Sequence, residues 1–530
     1  MEPIQRSTAG LYRFTFTALS LSIGWGIRGN FGHEFGAMIP GALSAMAAVL
    51  LSGREDWRRR IAYFAFFGAL GWSFGGSISY MQVIAYTHSG HSGSVLYGFA
   101  CLFLIGFIWA AVGGAGIALP AVLDRDRLTE FFPPLTVVFV AWLLQDAAEA
   151  WLVAVPPDYR HESPLYWYDT DWLAALLAVA AVLILAAFRR RLDSASSLIL
   201  HMAVGWWVGF LLLVVLLGWR MTPPRGDNWA GALGMVGGML FFFLRRRWTA
   251  LVFASLLTGL VGGFGFSTAT LFKLVEIKSG WQTNWHSVLE QTYGFINGLG
   301  VAVVMTILAR RCPLCNDEPP IRRWTEVYAV SFVLVGVTYL NLRKNPADWV
   351  KAGTVPGDLA TLSAGAWFDL AYLALALALV GLICRHVRRP LACVPPNWLG
   401  KGQLLYLWFL WWIVIGNFER ALVAFAPQRL VTEGVIHLNA VACTLIVLLA
   451  PVERGRVVPV SASPLPIFSP IIKRTLVVGV LAMALSVLAD WGIVRALYGD
   501  QFSGYAGRHI RFGPNATAVS RPPARGQPHP

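Results

Sequence analysis

Long apolar segments recur along the whole chain, and their lengths limit the fold more than any other feature of the sequence. They repeatedly reach the roughly 17 to 25 residues that an α-helix needs to cross a hydrocarbon layer of ~30 Å. Hydrophobic residues make up 56% of the 530 positions and charged residues only 13%, which excludes an ordinary water-soluble domain. Because lipid offers the backbone no hydrogen-bond partners, such segments must be helical. The sequence therefore predicts an all-α, polytopic integral membrane protein.

About fifteen apolar segments are candidates for transmembrane helices. Charged and aromatic flanks set their approximate ends. The predicted spans cover residues 11–27, 36–52, 61–84, 97–122, 132–155, 172–188, 196–219, 229–244, 249–271, 292–309, 325–342, 364–384, 403–425, 434–451 and 475–497. The tail, 501–530, is rich in Pro, Gly and Arg, has no apolar period and is predicted to be disordered.

Basic clusters occupy every second connection between these spans. They contain Arg58-Arg59-Arg60, Arg125 with Arg127, Arg189-Arg190-Arg191, Arg245-Arg246-Arg247, Arg310-Arg311 with Arg322-Arg323, Arg385 with Arg388-Arg389, and Arg454 with Arg456, Lys473 and Arg474. The positive-inside rule makes these connections cytoplasmic, which places the N-terminus in the cytoplasm and the C-terminus outside. We expect a bacterial inner (plasma) membrane. The net charge of +14 is explained by topology, so no nucleic-acid partner is expected.

Similar short motifs recur in the same order on spans 1 to 4 and on spans 7 to 10. Arg28-Gly-Asn is echoed by Arg225-Gly-Asp, and Gly75-Gly76 by Gly262-Gly263. An offset of six helices predicts parallel internal repeats, with spans 1–6 and 7–12 as two copies and spans 13–15 as a partial third. The corresponding divisions are 1–193, 194–400 and 401–500, followed by the tail. Shared membrane composition is the alternative explanation.

Charged residues between spans 1 and 2 form the first candidate site. An arginine, a histidine and a glutamate lie between two apolar runs, where charges tend to face a cavity or a protein interior. We expect them to meet the charged turn of the second copy, an outward cluster before span 10 and a third charged turn between spans 13 and 14. The predicted substrate-binding residues are Arg28, His33, Glu34, Arg225, Asp227, Asn284, His286, Glu290, Glu419, Arg420, Arg429 and Glu433. Alternatively, Arg28 pairs with Glu34 or Asp227 and only locks the turn.

Two acids in span 5 form a second candidate site. Asp146 and Glu149 are three residues apart and so share a helix face. The length of the span puts Asp146 near the middle of the membrane, where an acid is expected to line a cavity, pair with arginine or carry a coupling proton or cation. If the helix is shorter or shifted, both acids lie at the headgroups instead.

No cofactor and no metal site are predicted. Cys312-Pro-Leu-Cys315 is a lone CxxC, and further ligands could come only from Cys384, His386 and Cys393 in another connection. His33-Glu34 is half of a zinc signature without its second histidine.

The favoured function is a secondary transporter that moves a small anionic or polar molecule, either alone or coupled to protons or cations, through a cavity open to the outer face. The first alternative is an integral membrane enzyme that acts on a lipid-linked or sugar-like substrate at the outer leaflet. There, His33 or His286 with Glu34 or Glu290 would form the acid/base pair. The second alternative is a non-catalytic subunit of a membrane complex. The expected partners are the lipid bilayer and the small substrate.

Overall fold

The computed structural model describes residues 2–32, 34–75, 78, 80–89, 91–152, 171–219, 221, 228–315, 323–388, 400–424, 427–450 and 468–499. The structure is 86% helical. A two-residue antiparallel hairpin, β1 (Asp358–Leu359) with β2 (Leu362–Ser363), is the sheet found in these residues. The predicted all-α class is confirmed.

Twenty α-helices are found in the described residues. They are α1 (Glu2–Arg28), α2 (Glu34–Leu50), α3 (Glu55–Arg59), α4 (Ile61–Gly75), α5 (Met81–Tyr86), α6 (Ser92–Val122), α7 (Arg125–Thr129), α8 (Phe132–Leu152), α9 (Asp171–Arg189), α10 (Ser194–Phe210), α11 (Asn228–Arg245), α12 (Thr249–Lys278), α13 (Trp285–Arg311), α14 (Arg323–Ser331), α15 (Thr338–Leu342), α16 (Asn345–Lys351), α17 (Ala364–Arg388), α18 (Lys401–Ala424), α19 (Pro427–Leu449) and α20 (Ser469–Tyr498). A π-helical segment, Leu211–Leu216, continues α10, and another, Phe332–Val337, joins α14 to α15.

Ten helical stretches of the described chain are long and apolar enough to cross a membrane. This supports a multi-pass helical membrane protein, whereas the count of fifteen spans stays a prediction. The third predicted span, 61–84, is interrupted, because α4 ends at Gly75 and α5 begins only at Met81. Non-helical backbone at membrane depth is tolerated only where protein or a water-filled cavity surrounds it.

Six helices form a closed ring, in which α1, α2, α4, α6, α12 and α13 each pack against the next and α13 returns to α1. Glycines allow the closest approaches. A Cβ added to Gly41 of α2 would lie 2.2 Å from the carbonyl oxygen of Gly68 in α4, and one added to Gly106 of α6 would lie 2.4 Å from that of Gly262 in α12. Small residues at helix contacts are a common means of packing in membranes, where burial of apolar surface provides no drive between helices.

Five buried aromatic side chains fill the ring between its helices. They are Trp25, Trp72, Trp109, Phe266 and Tyr293, which we call the aromatic plug. The centroid of Trp25 lies 4.8 Å from that of Tyr293 and 5.0 Å from that of Trp109, and Phe266 lies 5.0 Å from Tyr293. Side chains from five of the six helices thus close the ring.

Further helices pack around this ring. α18 and α19 pack against α2 and α1, and α20 packs against α12 and α6. α8, α9, α10 and α11 pack in sequence, and α11 contacts α10 far more extensively than it contacts α12. In the predicted repeat, α11 and α12 correspond to α2 and α4. Because α2 packs tightly on α4, the two copies differ at this helix pair, and the internal repeat stays a prediction.

Candidate functional site

A buried ion pair joins the end of α1 to the second turn of α13. Arg28 Nη1 lies 3.2 Å from Glu290 Oε1, and the two side chains are only 2% and 3% exposed. The charged groups are therefore almost fully removed from water. Such a pair is retained only when further contacts compensate for the lost hydration.

The interruption between α4 and α5 places Tyr80 against this pair. The Tyr80 hydroxyl donates to Glu290 Oε1 at 2.7 Å and accepts from Arg28 Nη1 at 3.3 Å. His286 lies one turn before Glu290 on α13, and its Nε2 is 3.2 Å from the same hydroxyl. We call these four side chains the Arg28 network. A tyrosine hydroxyl thus connects an arginine, a glutamate and a histidine.

Aromatic rings of the plug face the guanidinium of Arg28. Its Cζ lies 5.0 Å from the ring centroid of Trp25 and 5.1 Å from that of Trp109. These rings attract a desolvated cation electrostatically. The plug consequently does two things: it closes the ring and helps to hold the charge of Arg28.

Glycines beside Arg28 make room for this arrangement. A Cβ on Gly29 would lie 2.6 Å from Glu290 Oε2, and a Cβ on Gly36 would lie 2.6 Å from the carbonyl oxygen of Arg28. Gly32 has φ +101°, a conformation that favours glycine and reverses the chain between α1 and α2. These glycines lie in or beside the turn that contains the first candidate site.

A second buried network surrounds Asn30 in the turn between α1 and α2. Asn30 Nδ2 donates to Asn417 Oδ1, and Asn417 Nδ2 donates to Glu433 Oε2. Arg429 Nη2 donates to Asn30 Oδ1, and Arg429 Nε lies 3.8 Å from Glu433 Oε1. We call these four side chains the Asn30 network. It ties the turn to α18 and α19.

Cations also bind the backbone of this turn. Arg420 donates to the carbonyl oxygen of Asn30 and pairs with Asp348. Lys344 Nζ donates to the carbonyl oxygen of Phe31 at 2.5 Å. The turn therefore contacts Lys344 just before α16 and Arg420 of α18, as well as side chains of α13 and α19.

The two networks lie within electrostatic range of each other. Glu290 interacts with both Arg429 and Glu433, and Lys273 of α12 interacts with Glu290. Among the described side chains around the turn, Lys273 and Lys344 accompany the pairs Arg28–Glu290, Arg420–Asp348 and Arg429–Glu433. His88, in the turn after α5, lies nearby, and burial, followed by the ammonium of Lys273, lowers its pKa.

Six of the predicted site residues come together here: Arg28, His286, Glu290, Arg420, Arg429 and Glu433. Four predicted site groups lie outside the described residues: His33, Arg225, Asp227 and the side chain of Glu34. Within the described residues, the carboxylate that pairs with Arg28 is that of Glu290. Asn284 has a structural contact, because its Oδ1 caps α13 by accepting from Ser287 N at 3.2 Å. Glu419 is exposed and lines a separate groove.

The predicted coupling site in span 5 does not join these networks. Asp146 is exposed on α8, outside the six-helix ring, within electrostatic range of Arg343. The side chain of Glu149 lies outside the described residues. The coupling role of the two acids stays a prediction, while within the two networks the buried acids that contact arginines are Glu290 and Glu433.

Several residues of the site were not predicted from sequence. Tyr80, Asn30 and Asn417 are uncharged, Lys273 lies within an apolar helix, and Lys344 and Asp348 lie near a predicted span end. The Gly75-Gly76 pair is the sequence signal that indicates a helix break before Tyr80. No comparable local signal identifies the two asparagines, because their role depends on which helices are neighbours.

The CxxC at the opposite end of the ring is held by a buried arginine. Arg54 pairs with Asp56 through two bonds of 2.8 and 2.6 Å and donates to the carbonyl oxygens of Ala309 and Cys312. Cys315 N donates to Asp56 Oδ2 at 3.0 Å. The Cys312 thiol is free, and burial raises its pKa to about 12. Among the described side chains no group of three His, Cys, Asp or Glu is arranged to hold a metal.

The pKa of Asp56 lies below its ordinary value. Burial raises this pKa, but hydrogen bonds from Arg54 and from the backbone of Cys315 outweigh that effect. The pair consequently contributes stability above the unfolded-state pKa of Asp56, and this contribution is lost as the pH falls through the lower pKa of the folded state.

No protein family, no curated protein and no solved structure matches this chain.

Replacing Arg28 by Met is expected to lower the free energy of unfolding by about 3–5 kcal/mol, because it leaves the charge of Glu290 buried and unpaired. The double variant Arg28→Met/Glu290→Gln should recover part of this loss. The matched control is Arg59→Met, whose partner Glu55 is 61% exposed, and it should cost about 0–1 kcal/mol. Equilibrium unfolding in detergent measures the free energy of unfolding of all three variants. Equal losses of stability for Arg28→Met and Arg59→Met would contradict the buried pair.

Cys312 is expected to react with maleimide far more slowly than exposed Cys384, because ~1 in 10,000 Cys312 thiols is ionised at pH 8 for a pKa of about 12. Asp56→Asn should speed labelling of Cys312 and leave labelling of Cys384 unchanged, since it removes the carboxylate that positions Arg54 to hold the backbone of Ala309 and Cys312. In the wild type, lowering the pH from 8 to 5 should not loosen this grip, because Asp56 stays ionised. Peptide mass spectrometry measures each cysteine. Equally fast labelling of Cys312 and Cys384 would contradict the burial of Cys312 by the contacts of Arg54.

Proposed function

We propose that this protein is a secondary transporter that carries a small anion together with a proton. The observation that carries the proposal is the buried Arg28–Glu290 pair, bounded by Tyr80 and His286 at a helix interruption. Discontinuous helices often border substrate and ion sites in transporters. Buried ionisable groups in membrane helices commonly mark ion pathways and proton relays.

Glu290 is the residue that exchanges a proton for the substrate. In the resting state its carboxylate neutralises Arg28. An incoming anion would be repelled by this carboxylate in a medium of low dielectric constant. Protonation of Glu290 removes the repulsion and frees Arg28 to pair with the anion. One proton and one negative charge then move together.

Tyr80 and His286 supply the route for the proton. The side chain of His286 is 34% exposed, whereas that of Glu290 is 3% exposed, so the histidine is the more accessible end of the chain of hydrogen bonds. Histidine exchanges protons near neutral pH. The Tyr80 hydroxyl lies between the two groups and can accept a proton from one while donating its own to the other.

The surrounding charges favour an anion over a cation as substrate. Lys273 brings a positive charge within electrostatic range of Glu290. Arg429 and Glu433 form a second pair close to the first. Once Glu290 is protonated, an anion is attracted by Arg28 and Lys273, whereas a cation is repelled by them.

Closure of the ring by the aromatic plug fits an occluded resting state. Trp25 and Trp109 belong to the plug, contact each other and also face the guanidinium of Arg28. Substrate release would require the ring helices to separate next to these rings. The Asn30 network links α1 and α2 to α18 and α19, so its hydrogen bonds would break and reform as this end opens.

We further propose fifteen spans in a bacterial inner membrane, with the N-terminus in the cytoplasm and the C-terminus outside. The alternation of the basic clusters supports this orientation. Under it, the Arg28 and Asn30 networks face outward. Two parallel repeats of six spans are proposed on the order of their shared motifs, with spans 13–15 as a partial third copy.

A membrane enzyme is the second candidate. Contact of the Tyr80 hydroxyl with Glu290, His286 and Arg28 favours it, because an acid/base pair beside an arginine suits chemistry on a phosphate-bearing lipid. Glu290 would take a proton from the attacking water, Arg28 would hold the phosphate, and His286 would protonate the leaving phosphate oxygen as the P–O bond breaks.

Transport is tested in proteoliposomes that contain a pH-sensitive dye. Phosphate, sulfate, succinate or glutamate is added outside at constant pH. At least one should acidify the lumen, because the proton enters with the anion. Glu290→Gln should abolish acidification yet still exchange labelled anion, and Arg28→Gln should abolish both. Glu55→Gln, on the short helix α3, is the control and should resemble wild type.

The outcomes separate the two candidates. Absence of acidification with all four anions, or full acidification by Glu290→Gln, would contradict proton-coupled transport. Conversion of a lipid-linked diphosphate by wild type but not by His286→Asn or Glu290→Gln, without uptake of any anion, would establish the enzyme instead.

A further inference from the structure

A groove on the outside of the helix bundle is distinct from the Arg28 network. It has a volume of about 540 Å³ and lies between α16, α17 and α18. Its size is that of a site for a small organic ligand. One wall is formed by Trp408, Trp412, Ile415 and Glu419, which are spaced three or four residues apart and so share one face of α18.

Aromatic rings follow one another along this groove. Ring centroids are 6.5 Å apart for Trp349 and Phe368, 5.7 Å for Phe368 and Tyr372, 5.7 Å for Tyr372 and Trp412, and 6.2 Å for Trp412 and Trp408. From Trp408 to Glu419 the groove extends about 17 Å along α18 at the rise of an α-helix. A chain of methylene groups could lie along this length.

The sides of the groove are apolar and open outward. Trp408 is 45% exposed, Leu375 is 43% exposed and Ile415 is 49% exposed. The first part of α17, Ala364–Gly381, is long and apolar enough to cross a membrane. The α17 side of the groove therefore suits contact with lipid.

Hydrogen-bond acceptors occupy one end of the groove. Glu419 is the charged side chain among the described lining residues. Asn345 is 1% exposed, and its Nδ2 donates to the carbonyl oxygen of Gly416 at 2.9 Å. This bond fixes the amide so that Oδ1 is a buried acceptor, and no donor for it lies within the described residues. A buried acceptor without a donor is costly.

We propose that this groove binds a membrane lipid whose headgroup ends in a primary ammonium group, as in the ethanolamine phospholipids. The ammonium donates to the carboxylate of Glu419 and to Oδ1 of Asn345, and an acyl chain follows the aromatic rings toward Trp408. Charge-assisted hydrogen bonds of this kind are the strong ones. Aromatic faces near the same end add attraction for the cation.

The acceptors also determine what the groove rejects. A quaternary ammonium group has no N–H and leaves Asn345 Oδ1 without a donor, so choline lipids bind less well. A headgroup with a net negative charge is repelled by Glu419, and none of the described lining side chains is basic. The order of preference is therefore ethanolamine, then choline, then glycerol headgroups.

Native mass spectrometry of the full chain in detergent tests this order. Dioleoyl lipids with ethanolamine, choline or glycerol headgroups are titrated separately onto delipidated protein. Wild type should retain the ethanolamine lipid with at least about tenfold higher affinity, equivalent to ~1.4 kcal/mol. Glu419→Gln should remove this preference. Asp358→Asn, an exposed acid outside the groove, is the matched control and should keep it.

A second variant locates the lipid without changing the carboxylate. Ala371 is exposed and lines the groove, so Ala371→Trp fills the space without disturbing the core and should reduce ethanolamine-lipid binding. Equal affinity of wild type for all three lipids would overturn the proposal, as would a preference for choline. An ethanolamine preference that survives in both Glu419→Gln and Ala371→Trp would place the lipid elsewhere and overturn it equally.

Discussion

The arrangement of the helices around Arg28 follows from the cost of removing its charge from water. A guanidinium at 2% exposure requires an opposite charge, hydrogen bonds and polarisable neighbours at once. Glu290 supplies the charge, Tyr80 the hydrogen bond, and Trp25 and Trp109 the aromatic faces. These groups come from α13, the α4–α5 interruption, α1 and α6, so the contacts that compensate for burial of the pair require these segments of the ring to pack together. The buried ion pair therefore depends on the packing of the ring.

The turn between α1 and α2 shares this dependence. Gly29 and Gly36 allow Glu290 and the backbone of Arg28 to approach, while Asn30 holds the far side of the turn to Asn417 and Arg429. The turn is consequently fixed by polar contacts on both sides rather than by apolar packing alone. Polar contacts of this kind can exchange partners when protons or substrates bind, because each depends on a defined charge state. This property connects the packing of the turn with the proposed transport of an anion and a proton.

Much of the fold could be predicted from the sequence because the constraints of a bilayer act on segment length and flanking charge. The helix that ends at Arg28 was recognised, and so was α13, although its predicted start at 292 left His286 and Glu290 in the preceding connection. The alternation of basic clusters predicts that these residues share one side of the membrane. The contact of Arg28 with Glu290 rather than with Glu34 or Asp227 could not be derived, because sequence does not determine which helices are neighbours. The depth of Asp146 in the membrane stays a prediction, and the exposed face of α8 on which it lies could not be derived from sequence. Tyr80 was missed because the span around it was taken as continuous.

Protonation of Glu290 upon anion binding is the central claim, and infrared difference spectroscopy measures it most directly. The spectrum is recorded on purified protein at constant pH, before and after addition of the anion that acidifies the proteoliposomes. The account predicts a new carbonyl stretch of a protonated carboxylic acid that is absent from Glu290→Gln. Anion binding with no such band in the wild type, or with the same band in Glu290→Gln, would contradict it.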